Sequence, residues 1–234
     1  MSLTDLTSLN DSDDAATVRA LATLARSAVV KPASVCIWPR FIPVALEVLE
    51  GSAISVCAVT NFPLGAADPE AAAEETRAAV AAGAKEVDVV FPYRALLGGD
   101  SEVGLRLVSA CRDACQDQAL LKVILETGQL NAADMRRAAQ TAIEGGADFL
   151  KTSTGKTQPA ATPEAANILI EAAAAAGPRR VGFKASGGIR SLEDALLYLN
   201  LYEQRFGVGS ASPANFRIGA SALFKELITI AGRT

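Results

Sequence analysis

A chain of 234 residues, half of them hydrophobic and 21% charged, holds enough apolar material for one large core. Its net charge of −4 and lack of a basic patch argue against nucleic acid or any other polyanion as a partner. No apolar run approaches the roughly 20 residues of a membrane span, and the acidic start "MSLTDLTSLNDSDD" lacks the pattern of a secretory signal, so a soluble, cytoplasmic protein is expected.

In chain order, short β-like runs alternate with longer Ala-rich stretches. A weak first strand is read at Leu3–Thr7. Stronger ones follow at Ala33–Ile37, Ile54–Val59, Glu86–Val90, Leu120–Glu126, Asp148–Lys151, Arg180–Lys184 and Phe216–Gly219. Their Val, Ile, Leu and Phe content suits strands buried on both faces. Helices are expected between them. Ala67–Gly83 and Thr162–Gly177 each place a capping side chain and a proline at the start and glycine at the end. "NAADMRRAAQTAIEGG" and "SLEDALLYLNLYEQRFG" follow the same logic. Eight β-then-α units of about 29 residues, with no linker or composition shift, predict a single α/β domain over residues 1–234. A (β/α)8 TIM barrel fits this length better than an open doubly wound sheet.

The chain contains no histidine. That excludes Ser-His-Asp and Cys-His nucleophiles and the histidine-rich zinc sites. Of the four cysteines, Cys36, Cys57, Cys111 and Cys115, the last two sit four apart on a predicted helix without zinc-ligand spacing or partner ligands and read as reduced structural thiols. Chemistry must then come from the remaining polar residues. In a barrel it belongs at the C-terminal strand ends, where Asp88, Glu126, Lys151 and Lys184 stand.

The segment "FLKTSTGKT" ends like a phosphate-cradling P-loop, but Leu150 occupies the position of its first glycine. A nucleophilic lysine is the better reading. A free lysine titrates near about 10.4 and is almost wholly charged at neutral pH; an apolar wall or a second cation favours the neutral amine. Lys151 and Lys184 would share one space at the ends of neighbouring strands. Only seven of the 22 basic residues are lysine, yet two of them hold these positions. Spacing alone leaves open that each is a core-edge lysine paired with a carboxylate. Asp88, across the mouth, could handle protons directly or through water, or serve as an ion-pair partner. Gly187, Gly188, Gly219 and Ser221 lie in the turns after the last two strands and are candidates to hold a phosphate.

With these residues in view, the chain resembles deoxyribose-phosphate aldolase, a class I aldolase family. The resemblance rests on "DLTSLN", "VCIWPRFIPVA", "AVTNFPLG", "EVDVVFPYRALLGGD", "LLKVILETGQL", "GADFLKTSTGK", "VGFKASGGIR" and "FRIGAS", in the family's order. It implies reversible cleavage of 2-deoxy-D-ribose 5-phosphate to acetaldehyde and D-glyceraldehyde 3-phosphate, without metal or organic cofactor. It implies that Lys151 forms a Schiff base, that Lys184 perturbs it and that Asp88 serves the proton relay. By the same resemblance Lys156, the glycine turns and Ser221 hold the substrate and its phosphate, and Thr7 and Cys36 line the pocket. The partners are then small aldehydes and a sugar phosphate, and a homodimer is compatible with the sequence. Two other readings predict different chemistry: a barrel isomerase or synthase with no covalent step, and a non-catalytic sugar-phosphate-binding protein.

Overall fold

The computed structural model describes residues 1–177 and 180–231. Eight parallel strands close into a barrel in sequence order: β1 (Thr4–Thr7), β2 (Ser34–Ile37), β3 (Ser55–Thr60), β4 (Glu86–Val90), β5 (Leu120–Ile124), β6 (Phe149–Lys151), β7 (Gly182–Ser186) and β8 (Phe216–Ala220). The seam joins β1 to β8 with Asp5 opposite Gly219. Helices α1 (Ala15–Ser27), α2 (Ile42–Leu49), α3 (Pro69–Ala81), α4 (Tyr93–Leu97), α5 (Glu102–Cys115), α6 (Ala132–Glu144), α7 (Pro163–Ala175), α8 (Leu192–Phe206) and α9 (Ala222–Ala231) cover the outside. The expected (β/α)8 barrel is therefore what forms. One unit carries two helices, because the short α4 follows β4 before α5 begins. No helix among the described residues is long and apolar enough to cross a membrane.

The predicted helix starts are real caps. Asp68 accepts the Ala71 N–H ahead of Pro69, and Thr162 accepts the Ala165 N–H ahead of Pro163. Asn131 caps α6, and Ser191 with Asp194 forms a capping box on α8. These contacts satisfy N–H groups that helix geometry leaves without an internal partner.

Strand side chains alternate between the two faces of the barrel wall. One set, including Leu6, Val35, Val56, Val87, Leu121 and Phe183, is apolar and buries against the helices. The other set faces inward, and it is largely polar. The strands are buried on both faces, as expected, and the inward face carries Asp5, Glu86, Asp88, Lys122, Lys151, Lys184 and Arg217, all buried. Phe149 fills the interior beside Gly182, where a Cβ would come within 2.4 Å of the phenyl ring. Glycine there is a packing requirement.

Two strands differ from expectation at their ends. β5 stops at Ile124, because Glu126 turns into the left-handed region at φ 55° and braces the next loop: its carboxylate accepts the Thr154 N–H at 3.1 Å and hydroxyl at 2.5 Å. β7 is shifted by two residues from the expected Arg180–Lys184, beginning at Gly182 and running through Ser186.

The loop after β5 packs tightly on that same β6–α7 segment. A Cβ on Gly128 would lie 1.7 Å from the Pro159 carbonyl oxygen, a backbone atom that cannot rotate away. Gly128→Ala is expected to destabilise the protein by about 1–3 kcal/mol through forced backbone movement, read as a lower midpoint in denaturant. A variant with an unchanged midpoint would contradict this packing.

Candidate active site

β6 and β7 are paired with Lys151 directly opposite Lys184, and β4 and β5 with Asp88 directly opposite Lys122. Side chains in one register row of a barrel point inward together, and these four meet. Lys151 Nζ donates to Asp88 Oδ2 at 2.8 Å, and Lys184 Nζ donates to the same oxygen at 2.7 Å. The two amines are thus separated by no more than two hydrogen bonds sharing one acceptor. Lys122 Nζ takes the other oxygen, Oδ1, at 2.8 Å. All four residues are at most 1% exposed.

The two expected lysines are not equivalent. Lys184 also lies 2.5 Å from Asp5 Oδ2, a close ionic contact rather than an aligned hydrogen bond. Burial disfavours its charge, but Asp5 and Asp88 outweigh burial and hold its pKa above the usual lysine value. Lys122 is raised in the same way, chiefly by Asp88 against burial. Lys151 has a single carboxylate, Asp88. Asp88 itself would be raised by burial, yet Lys122, Lys151 and Lys184 hold its carboxyl well below the usual range. It is a fixed anion and a weak base.

Lys122, Asp5, Glu86 and Arg217 escaped the sequence reading because none of them lies at the C-terminal end of its strand. A signal was present: Glu86 and Asp88 are two apart in β4, and Lys122 stands at an inward position of an otherwise apolar strand. Charges at period two in buried strands mark the barrel interior.

Cys36 and Cys57 line the other side of the carboxylate. Cys57 Sγ contacts Asp88 Oδ1 at 3.1 Å, and Cys36 Sγ approaches Asp88 Oδ2 at 3.9 Å. A hydrogen bond with Cys57 draws the Cys36 thiol below its ordinary pKa, while burial pushes Cys57 up. Among the described residues these two thiols and Asp88 are the one set of three metal-ligand types lying close together. Both carboxylate oxygens already serve ammonium groups, so the site repels an added cation. Cys111 and Cys115 are buried in α5, far along the chain from these groups, with thiols pushed up by burial to about 12 and about 11.

The remaining expected residues gather around a cavity of about 700 Å³ at the C-terminal mouth. Thr7, Lys156, Gly187, Gly188, Gly219 and Ser221 all line it. Gly187 and Gly188 adopt φ of 89° and 83°, and a Cβ on Gly187 would meet Ala160 at 2.7 Å. Gly219 leaves room for the Lys184 stem, whose Cε would be 3.1 Å from an added Cβ. Lys156 pairs with Asp11 at 3.3 Å across the rim. Cys36 does not line this cavity; it lies beside Asp88.

Buried amines beneath a polar mouth, at the face of a parallel barrel where active sites are built, have the makings of an enzyme that could use imine chemistry. A sequence model of the DeoC/LacD family aldolases matches residues 1–204, and the chain belongs to that family. Solved structures agree. A candidate deoxyribose-phosphate aldolase from Toxoplasma gondii ME49 is 26% identical, with TM-score 0.89 over 100% of this chain and 94% of that one. A candidate deoxyribose-phosphate aldolase from Coccidioides immitis is 28% identical, with TM-score 0.86 over 99% and 85%. The tetrameric deoxyribose phosphate aldolase from Aeropyrum pernix is 29% identical, with TM-score 0.79 over 100% and 91%. The protein is an aldolase of class I.

Proposed function

We propose that the protein cleaves 2-deoxy-D-ribose 5-phosphate reversibly to acetaldehyde and D-glyceraldehyde 3-phosphate, with Lys151 as the imine-forming residue. The observation that carries this reading is the sharing of one Asp88 oxygen by Lys151 and Lys184 on adjacent, paired strands. Family membership and the named activities of the matched structures support the substrate.

The uncharged Lys151 amine adds to the open-chain aldehyde carbon C1, and loss of water gives a protonated imine. Its positive nitrogen draws the electron pair of the C2–C3 bond as the 3-hydroxyl gives up its proton. D-Glyceraldehyde 3-phosphate leaves and an enamine remains. Protonation at C2 restores the imine, and water releases acetaldehyde and the amine. Lys184 supplies a standing positive charge beside the nucleophile. Asp88 stays ionised, stabilises the iminium and orders the water that relays protons, since its three cationic neighbours leave it a weak base. The substrate phosphate sits against the turns at Gly187, Gly188 and Ser221 and the β8 end at Gly219, with Lys156 at the rim. Thr7 shapes the pocket wall, while Cys36 stands behind it against Asp88. The reaction is closed in atoms without a metal or organic cofactor, and the partners are these aldehydes and the sugar phosphate.

Two measurements test the reading. Cleavage is followed by detecting both aldehyde products, and acetaldehyde with borohydride is expected to leave a reduced ethyl group on Lys151. Turnover without an adduct on that residue points to the non-covalent isomerase or synthase reading; binding without turnover points to a sugar-phosphate-binding protein.

A further inference from the structure

The steps above use Lys151, Lys184 and Asp88 and leave the charges beneath them without a task. Those charges form one continuous chain through the barrel. Arg217 bonds both oxygens of Glu86, at 3.1 and 2.9 Å, and meets Asp5 Oδ1 at 2.6 Å. Glu86 Oε2 holds Lys122 at 2.6 Å, and Lys122 reaches Asp88 Oδ1. Asp5 Oδ2 holds Lys184. The floor of the barrel is thus wired to its mouth in two parallel lines, one through Lys122 and one through Asp5.

The count of charges matters. Four cationic side chains, Lys122, Lys151, Lys184 and Arg217, face three carboxylates, Asp5, Glu86 and Asp88. Fully ionised, the buried set carries one positive charge in excess, which a low-dielectric interior disfavours. The four cations are held unequally. Lys122 lies near all three carboxylates, Lys184 and Arg217 contact two each, and Lys151 contacts Asp88 alone. Lys151 is therefore the cation of this cluster held by the fewest carboxylates.

We propose that the Arg217–Glu86 pair on the barrel floor is a positioning element that fixes this one-charge excess, and so designates Lys151 as the amine left free to attack. The inference rests on Lys151 being the imine-forming residue. Lys151 contacts Asp88, and the titratable and charged groups linked to it through the shaft are Asp5, Cys36, Cys57, Glu86, Lys122, Lys184 and Arg217. Burial keeps Cys57 a neutral thiol. Cys36 is the one further group whose ionisation would add a negative charge.

The test is the acid limb of the pH dependence of acetaldehyde trapping on the full-length protein. Glu86→Gln raises the excess to two and is expected to move the limb to lower pH; Arg217→Met removes the excess and moves it to higher pH. Each shift is expected to be about 0.5–1 unit, and the Glu86→Gln/Arg217→Met double variant returns to within about 0.2 unit of wild type. The same pattern is expected in a Cys36→Ala background. Should either single variant fail to fold, Asp5→Asn stands in for Glu86→Gln, and the double variants decide: with either carboxylate removed alongside Arg217, the limb stays in place. Limbs that do not move, that move the same way in both single variants, or that are displaced in the charge-balanced doubles overturn the proposal. Absence of any adduct in the wild-type protein overturns the imine reading instead, so the two failures are distinct.

Discussion

Lys151→Arg is expected to lower deoxyribose phosphate cleavage by about 10⁴-fold or more while leaving the fold intact. Arginine keeps a positive charge within reach of Asp88 and so preserves the ion pair seen at 2.8 Å. Its guanidinium stays protonated and cannot condense with an aldehyde. The variant therefore separates covalent chemistry from electrostatics at one position. Borohydride with acetaldehyde should leave no ethyl group on residue 151, and the denaturation midpoint should stay close to that of the wild type. Residual turnover above about 1% of wild type would show that the amine is not the nucleophile.

Asp88→Asn carries the second large effect, and it falls on stability as well as activity. Three ammonium groups share this carboxylate, from β5, β6 and β7. An amide leaves them without their common counter-charge, and removing one partner of a buried ion pair costs about 3–5 kcal/mol. Turnover should fall by about 10³-fold or more, because the iminium loses the anion beside it. The pH dependence follows from the depressed carboxyl of Asp88, and of Asp5, where burial is outweighed by Lys184, Lys122 and Arg217. A group held below its unfolded pKa contributes stability that is present above about 3.9 and is lost as pH falls toward the folded value. The wild-type protein should thus lose stability steeply below about pH 4, and Asp88→Asn should show a shallower acid slope from a lower starting point. Lys122 and Lys184, held above their ordinary values, contribute below about pH 10.4 and are lost only as pH rises through their folded values. An Asn variant with wild-type midpoint and acid slope would refute the shared-carboxylate account.

What could be read in the sequence, and what could not, follows from the kind of signal each feature leaves. β4 was legible to the residue, Glu86–Val90, since a run of β-branched residues is bounded by Gly83 and Pro92. The capped helices were equally plain, because Asp68, Thr162 and Ser191 satisfy local N–H groups. Strand ends were harder. β5 was carried too far because Glu126 looks like a strand-end carboxylate, when its left-handed backbone turns it toward Thr154. β7 was set too early because its register depends on pairing with β6, a partner 33 residues away when Lys151 meets Lys184. Lys151, Lys184 and Asp88 stood out as polar residues at or near the mouth. Lys122, Glu86, Asp5 and Arg217 did not, since their significance appears only once the sheet closes and puts them in one shaft. The C-terminal end of the chain, residues 232–234, lies outside the described residues.

The seam between β1 and β8 has a consequence for how the protein is made. Asp5 and its partner Arg217 lie 212 positions apart. Their ion pair can form only once the β8 segment has been made. The buried charge cluster is complete only when β8 closes the ring. Contacts of such long span also slow the search for the native state, which makes closure of the ring the step where chaperone assistance would count most.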